Sequence, residues 1–289
     1  KNTRPPPVKK KAAAKPVRRA TQRKAKKKPQ REMPSWLRDV IAGLIAFLFL
    51  AAFFYFFIRP YSYRWKPCYG FKAYGVCMPS GFQVHGIDVS HYQGNIDWKM
   101  LTQTRQGKFP IHFVFMKASE GGDYGDKAFI TNFDSAKTHG FIRGAYHFYN
   151  PKTDPVRQAD FFINSVKLDS GDLPPVLDIE KRGKDENQLR RDLKLWLDKI
   201  EQHYKVKPIL YTSYKFKTRY LNDSVFNSYP YWIAHYYVDS VRYEGKWHFW
   251  QHTDVGTVPG IEEEVDLNVF NGTMEELLEL TLKTPCIER

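Results

Sequence analysis

Val40 to Ile58, VIAGLIAFLFLAAFFYFFI, is a run of 19 residues with neither a charge nor a proline. As an α-helix rising about 1.5 Å per residue it covers the roughly 30 Å hydrocarbon layer of a bilayer. Every face of it is apolar, which a surface helix of a globular domain does not tolerate. Trp36 stands before the run and Tyr61, Tyr63 and Trp65 after it, where interfacial aromatics belong. A cleaved signal peptide has a shorter apolar core ending at small residues, whereas Arg59-Pro60-Tyr61 follows here. The expectation is a retained transmembrane helix over residues 39–58, in contact with a lipid bilayer.

That helix divides the chain's charge. The formal net charge is +14, yet residues 1–38 alone hold 15 Lys and Arg against a single acid, Glu32, which leaves 30 bases and 30 acids from the totals of 45 and 31. The globular part is neutral, so no nucleic-acid partner is expected of it. The tail, with its charges and prolines and no aromatic residue before Trp36, cannot bury enough apolar surface to fold. Basic residues on that side of the span place the tail in the cytoplasm and send residues 59–289 outside, to the periplasm or cell-wall space. Cys68, Cys77 and Cys286 then lie where disulfides persist. Cys68 and Cys77 bracket CYGFKAYGVC, a candidate stapled hairpin in a linker over residues 59–80, with Cys286 as a competing partner.

Residues 81–289 read as one α/β domain. Eight short runs rich in β-branched and aromatic residues, FQVHGIDVS, IHFVFMKAS, FIRGAYHFY, LPPVLDIE, KPILYTS, YWIAHY, WHFWQHT and VDLNVF, are separated at first by amphipathic stretches starting near Ile96, Lys127, Asp154 and Glu186. In the last of these Leu189, Leu193, Trp196, Leu197, Ile200 and Tyr204 recur at helical spacing. After a short helical stretch near Lys215 the final three strands have no full helices between them. The expected fold is a TIM-like barrel, shorter than the usual (β/α)₈ of about 250 residues for want of those helices.

In such a barrel, function sits at the C-terminal strand ends. The fourth run, PPVLDIE, ends with Asp178 and Glu180 at i and i+2, which share one face of a strand. Asp88, Asp178, Glu180 and Asp266 would converge on one mouth, with Tyr146, Tyr211, Trp232, Trp250 and Gln251 around them. Paired acids among flat rings suit sugar hydrolysis. Two other functions compete. A metal-dependent hydrolase would use His85, His91, His147, His235 and His252, but His248 and His252 lie about 13 Å apart on a strand and cannot share an ion. A tethered, non-catalytic glycan-binding protein would keep the cleft without turnover.

HGIDVSHYQGNIDW at 85–98, FVFMKASEG at 113–121, GAYHFY at 144–149, PVLDIE at 175–180, YWIAHY at 231–236, FWQH at 249–252 and VDLNVFNG at 265–272 together resemble the successive blocks of family 25 glycoside hydrolases, the Chalaropsis-type lysozymes or N-acetylmuramidases. The resemblance implies a (β/α)₅(β)₃ barrel. It also implies cleavage of the β-1,4 bond between N-acetylmuramic acid and N-acetylglucosamine in the glycan strands of peptidoglycan, with no cofactor and no metal. By that resemblance Glu180 is the catalytic acid, and Asp178 is either the nucleophile or the group that steadies the substrate's own N-acetyl as internal nucleophile. Asp88 and Asp266 take the family's other acidic positions, binding sugar and tuning Glu180. Tyr146, Tyr211, Trp232, Trp250 and Gln251 shape the subsites, as does Tyr92, which stands where the family often has Trp.

Overall fold

The computed structural model describes residues 33–59, 68–243 and 245–283. They fall into two compact units, residues 1–64 and 65–289. The first contains α1 (Ser35–Phe53), which follows Pro34 and runs on through a π-helical turn at Phe54–Ile58. These 24 residues, roughly 36 Å of helix, bury no side chain and are long and apolar enough to cross a membrane. The expected disordered tail, residues 1–38, lies almost wholly outside the described residues, as does Cys286.

The second unit opens with a two-stranded hairpin, β1 (Lys72–Ala73) and β2 (Val76–Cys77), stapled by a Cys68–Cys77 disulfide. Its turn residue Tyr74 donates its hydroxyl to Phe109 O at 2.6 Å and accepts from Thr257 N at 2.9 Å, and Met78 is buried. Residues 68–80, expected to form the latter half of a linker, are therefore packed on the domain that follows.

That domain is a closed barrel of β3 (Val84–Val89), β4 (Ile111–Glu120), β6 (Ile142–Phe148), β7 (Val176–Asp178), β8 (Ile209–Ser213), β9 (Tyr231–Ala234), β10 (Phe249–Gly256) and β11 (Val265–Phe270), with a small β5 (Tyr124–Gly125) on the edge of β4. Helices α2 (Trp98–Leu101), α3 (Phe129–Thr138), α4 (Pro155–Ser165), α5 (Glu186–Tyr204) and α6 (Tyr214–Tyr220) follow the first five barrel strands, and α7 (Met274–Leu280) closes the chain. The eight expected strands and the helix-poor last third are all present.

Strand alternation sorts side chains into two layers. Phe113, Phe115, Trp232, Phe249 and Phe270 fill the barrel, Phe115 stacking on Trp232 at 4.4 Å. Room for these rings comes from glycine: a Cβ on Gly86 would lie 2.3 Å from the Phe113 ring, and one on Gly144 2.5 Å from Phe115. Outside, all six apolar positions of α5 picked out by helical spacing are buried against the wall. Asp185 caps that helix by accepting from Asn187 N, and left-handed Lys205 ends it.

One strand departs from the expected parallel order. β11 runs antiparallel to both neighbours, β10 and β3, while the other barrel pairings are parallel. Asp266 is accordingly the second residue of its strand, and it meets the other acids because that strand enters at the end where the others leave.

Candidate active site

Asp178 and Glu180 sit as their spacing requires. Val176 points into the barrel and Leu177 out; Asp178 then points in and Ile179 out. The extended backbone persists beyond β7, since Ile179 N donates to Tyr211 O at 3.0 Å and Ile179 O accepts from Thr212 Oγ1 at 2.6 Å. Glu180 thus returns to the inner side at the rim, while Asp178 lies deeper with 6% of its surface exposed. Asp178 Oδ1 is buried and has no hydrogen-bond partner among the described residues.

The electrostatics follow from depth. Burial, then the negative charges of Glu180 and Asp88, push the Asp178 carboxyl well above its ordinary range, with Lys117 opposing. Glu180 is open at the rim, yet the surrounding chain excludes enough water from its carboxyl to raise it too, against the pull of Lys181 and Lys117. An acid held up in this way keeps its proton to a higher pH than a free carboxyl does, which suits it to the role of proton donor.

Asp88 and Asp266 face each other across the antiparallel β3–β11 ladder. Burial raises both, Asp88 to about 7 and Asp266 to about 9; the charge of Asp88 raises Asp266 further, while a hydrogen bond with Asp266 lowers Asp88. A single proton on the pair belongs on Asp266, because Asp88 Oδ2 already accepts from Gln251 Nε2 at 2.8 Å and Asn268 Nδ2 at 2.7 Å, bonds that favour its ionised form. Each amide is itself held from behind. Gln251 Oε1 accepts the hydroxyls of Tyr211 (2.7 Å) and Tyr236 (2.6 Å), and Asn268 Oδ1 accepts the indole N–H of Trp232 (2.8 Å). Gln251 and Asn268 thus both aim amide N–H groups at one carboxylate, which opposes the burial that raises Asp88 to about 7.

The other expected site residues separate into three groups. Tyr92 (73% exposed) and Tyr146 (half-buried) offer ring surface at the mouth. Tyr211, Trp232 and Gln251 are buried and belong to the hydrogen-bond network around Asp88. Trp250 is a correction. It alternates with inward Gln251 along β10, so it points outward, packing on Phe82 at 5.8 Å and donating to His235 O at 2.8 Å. Three participants escaped the sequence reading: Tyr236, Asn268 and Lys117. Asn268 is i+2 from Asp266 and Lys117 i+2 from inward Phe115, so the same-face rule that paired Asp178 with Glu180 identifies them as well.

The histidines do not converge on a metal. His91 Nδ1 lies 2.7 Å from Asp126 and His147 Nδ1 2.8 Å from Ser119, and His235 stacks on Tyr214 at 4.5 Å. Among the described residues no three His, Cys, Asp or Glu side chains are grouped to hold an ion.

A closed eight-stranded barrel with a rim acid above buried carboxylates has the paired acids that glycoside hydrolysis uses. The sequence specifies the family: residues 87–261 match the model of Glycosyl hydrolases family 25, and the chain belongs to that family. It is 40% identical over 223 residues to the protein YegX of Escherichia coli, covering 76% of this chain and 80% of that one. It is 34% identical over 222 residues to Lysozyme M1 of Streptomyces globisporus, covering 70% and 72%. The structure of a family 25 glycosyl hydrolase from Bacillus anthracis superposes with a TM-score of 0.64 at 32% identity, over 70% of this chain and 94% of that one.

Proposed function

We propose that the protein is a membrane-anchored muramidase that hydrolyses the β-1,4 bond between N-acetylmuramic acid and N-acetylglucosamine in peptidoglycan. The observation that carries this is the raised rim carboxyl of Glu180 above buried, partnerless Asp178. Glu180 gives its proton to the glycosidic oxygen as the bond to the anomeric carbon breaks. The acetamido oxygen of the same sugar bonds to that carbon from the opposite face. Asp178 Oδ1 accepts the acetamido N–H, and this donor favours the ionised form that balances the positive ring. Water, losing its proton to Glu180, then attacks the anomeric carbon and reopens the ring with retained configuration. An orphaned acceptor beside the reacting sugar favours this route over direct attack by Asp178. Asp88, whose ionised form its two amides favour, adds negative potential beneath the developing cation when it carries its charge.

The domain plan in this proposal is a cytoplasmic basic tail (1–38), a bilayer-spanning helix (39–58) and a catalytic barrel outside the membrane. The test is reducing-end release from purified peptidoglycan by the full chain in mild detergent, with products identified by mass spectrometry. Products ending in reducing N-acetylmuramic acid are expected, and Glu180→Gln should abolish them while still binding glycan. A folded protein that binds glycan without ever releasing reducing ends would be a tethered binder instead.

A further inference from the structure

Beside the catalytic mouth, the loops following β6 and β7 enclose a groove of about 830 Å³ that none of the steps above uses. It begins at Lys181, the residue after Glu180. Its floor is apolar, from Phe148, Pro151 and Leu189. The two loops meet where Gly183, at φ +70°, comes so close to Pro151 that a Cβ there would lie 3.2 Å from the proline's own.

The charges of this groove are unequally committed. Its three acids are engaged: Glu120 with Lys117 at 2.7 Å, Asp185 with Asn187 N at 2.9 Å, and Asp192 with Gln188 Nε2 at 2.6 Å. Arg182 reaches Glu186 only at 3.6 Å. Lys152, Lys181 and Lys184 line the same groove in no ion pair among the described residues, Lys181 lying over the Phe148 ring at 5.2 Å, and all three are exposed. The result is a cleft with an apolar floor and cations without acid partners along it, opening directly beside the catalytic acid. Its volume suits a short peptide.

Resting on the muramidase proposal, we infer that this groove holds the carboxylate-bearing stem peptide that muramic acid carries on its lactyl group, making the enzyme selective for peptide-substituted over bare glycan. The groove starts one residue after Glu180, and there the carboxylates of such a peptide find ammonium groups without acid partners above an apolar surface. Occupancy would also neutralise Lys181, one of the cations that favour ionised Glu180, so that the bound peptide helps the acid retain its proton.

The test compares kcat/KM of the full chain in detergent on two glycans of matched length, one bearing uncrosslinked stem peptides and one stripped of them by an amidase. The wild type should favour the peptide-bearing glycan by about tenfold, equivalent to about 1.4 kcal/mol. The double variant Lys152→Glu/Lys184→Glu should lose that preference and keep its rate on the stripped glycan. Equal wild-type rates on both glycans, or a variant slowed equally on both, would overturn the inference. Should the wild type hydrolyse neither, the muramidase proposal itself fails. The groove is then judged by binding alone, using a disaccharide tetrapeptide against its peptide-free counterpart at low and high salt. Tighter, salt-sensitive binding of the peptide form that the double variant loses supports the groove, and equal binding overturns it.

Discussion

Replacing Asn268 with leucine is the sharpest test of how Asp88 is held. The side chain is fully buried, donates to Asp88 at 2.7 Å and accepts from Trp232 at 2.8 Å. Leucine keeps the branched shape, so no cavity forms, and its bulkier methyl groups add an overpacking cost to the polar loss. A hydrogen bond to a charged group contributes about 1.5–3 kcal/mol, and stranding the indole N–H costs about 1–3 kcal/mol. The sum, about 2.5–6 kcal/mol, should appear as a lower midpoint in urea with an unchanged slope, and as a Tm lower by about 5–24 °C for a domain of this size. Asn268→Asp supplies the matching control. A protonated Asp can still donate to Asp88 and accept from Trp232, whereas an ionised one adds a further negative charge. Its folded-state pKa lies above the unfolded value, so the variant's stability is greatest below about pH 4 and falls as pH rises. A leucine variant within 1 kcal/mol of wild type, or an aspartate variant that gains stability with rising pH, would show that Asp88 is not held by this network.

Removing Lys181 takes a cation from beside Glu180, so Lys181→Ala should raise the acid's pKa and move the alkaline limb of the pH–rate profile upward; a limb that stays or moves down contradicts the electrostatics. Trp250→Ala should cost about 3–5 kcal/mol in chemical denaturation while leaving KM for glycan unchanged, because the ring lies on the outer face of its strand. Exposed Tyr92→Ala should do the reverse, raising KM with stability within about 0.5 kcal/mol. Gly86→Ala forces a methyl against Phe113, itself wedged between Phe115 and Phe249 at 5.6 and 5.2 Å, and should cost about 1–3 kcal/mol, part of which Phe113→Leu restores in the double variant.

The number of strands, the thinning of helices toward the C-terminus and the positions of the four acids were legible because each depends on local periodicity. Two features were not. The direction of β11 leaves no mark in VDLNVF, since a strand's alternation reads identically both ways; only its pairing with β3 and β10 reveals it. The depth of the aromatics was not legible for a related reason. Composition shows that rings cluster at strand ends, but which ring faces a sugar depends on depth, and Tyr211 and Trp232 lie under the carboxylates as hydrogen-bond donors. Trp250 was the one case in which parity sufficed, for its neighbour Gln251 could not share its face. The groove beside Glu180 depends on two loops far apart in sequence touching at Gly183 and Pro151, a contact with no periodic signature.

The reversed last strand also sets when the enzyme can exist during its own synthesis. Asp88 is made early, but the amides that hold it come from Gln251 and Asn268, 163 and 180 residues later, and Asp266 arrives with the latter. Until β11 inserts between β10 and β3 the barrel is an open sheet, and its first acid has no proton-sharing partner. Closure of so distant a pair is among the slowest contacts for a chain to make. A nascent or truncated polypeptide therefore holds Asp178 and Glu180 without the charge beneath them. Glycan-cutting capacity appears only with the last strand, as a single late event and not by degrees.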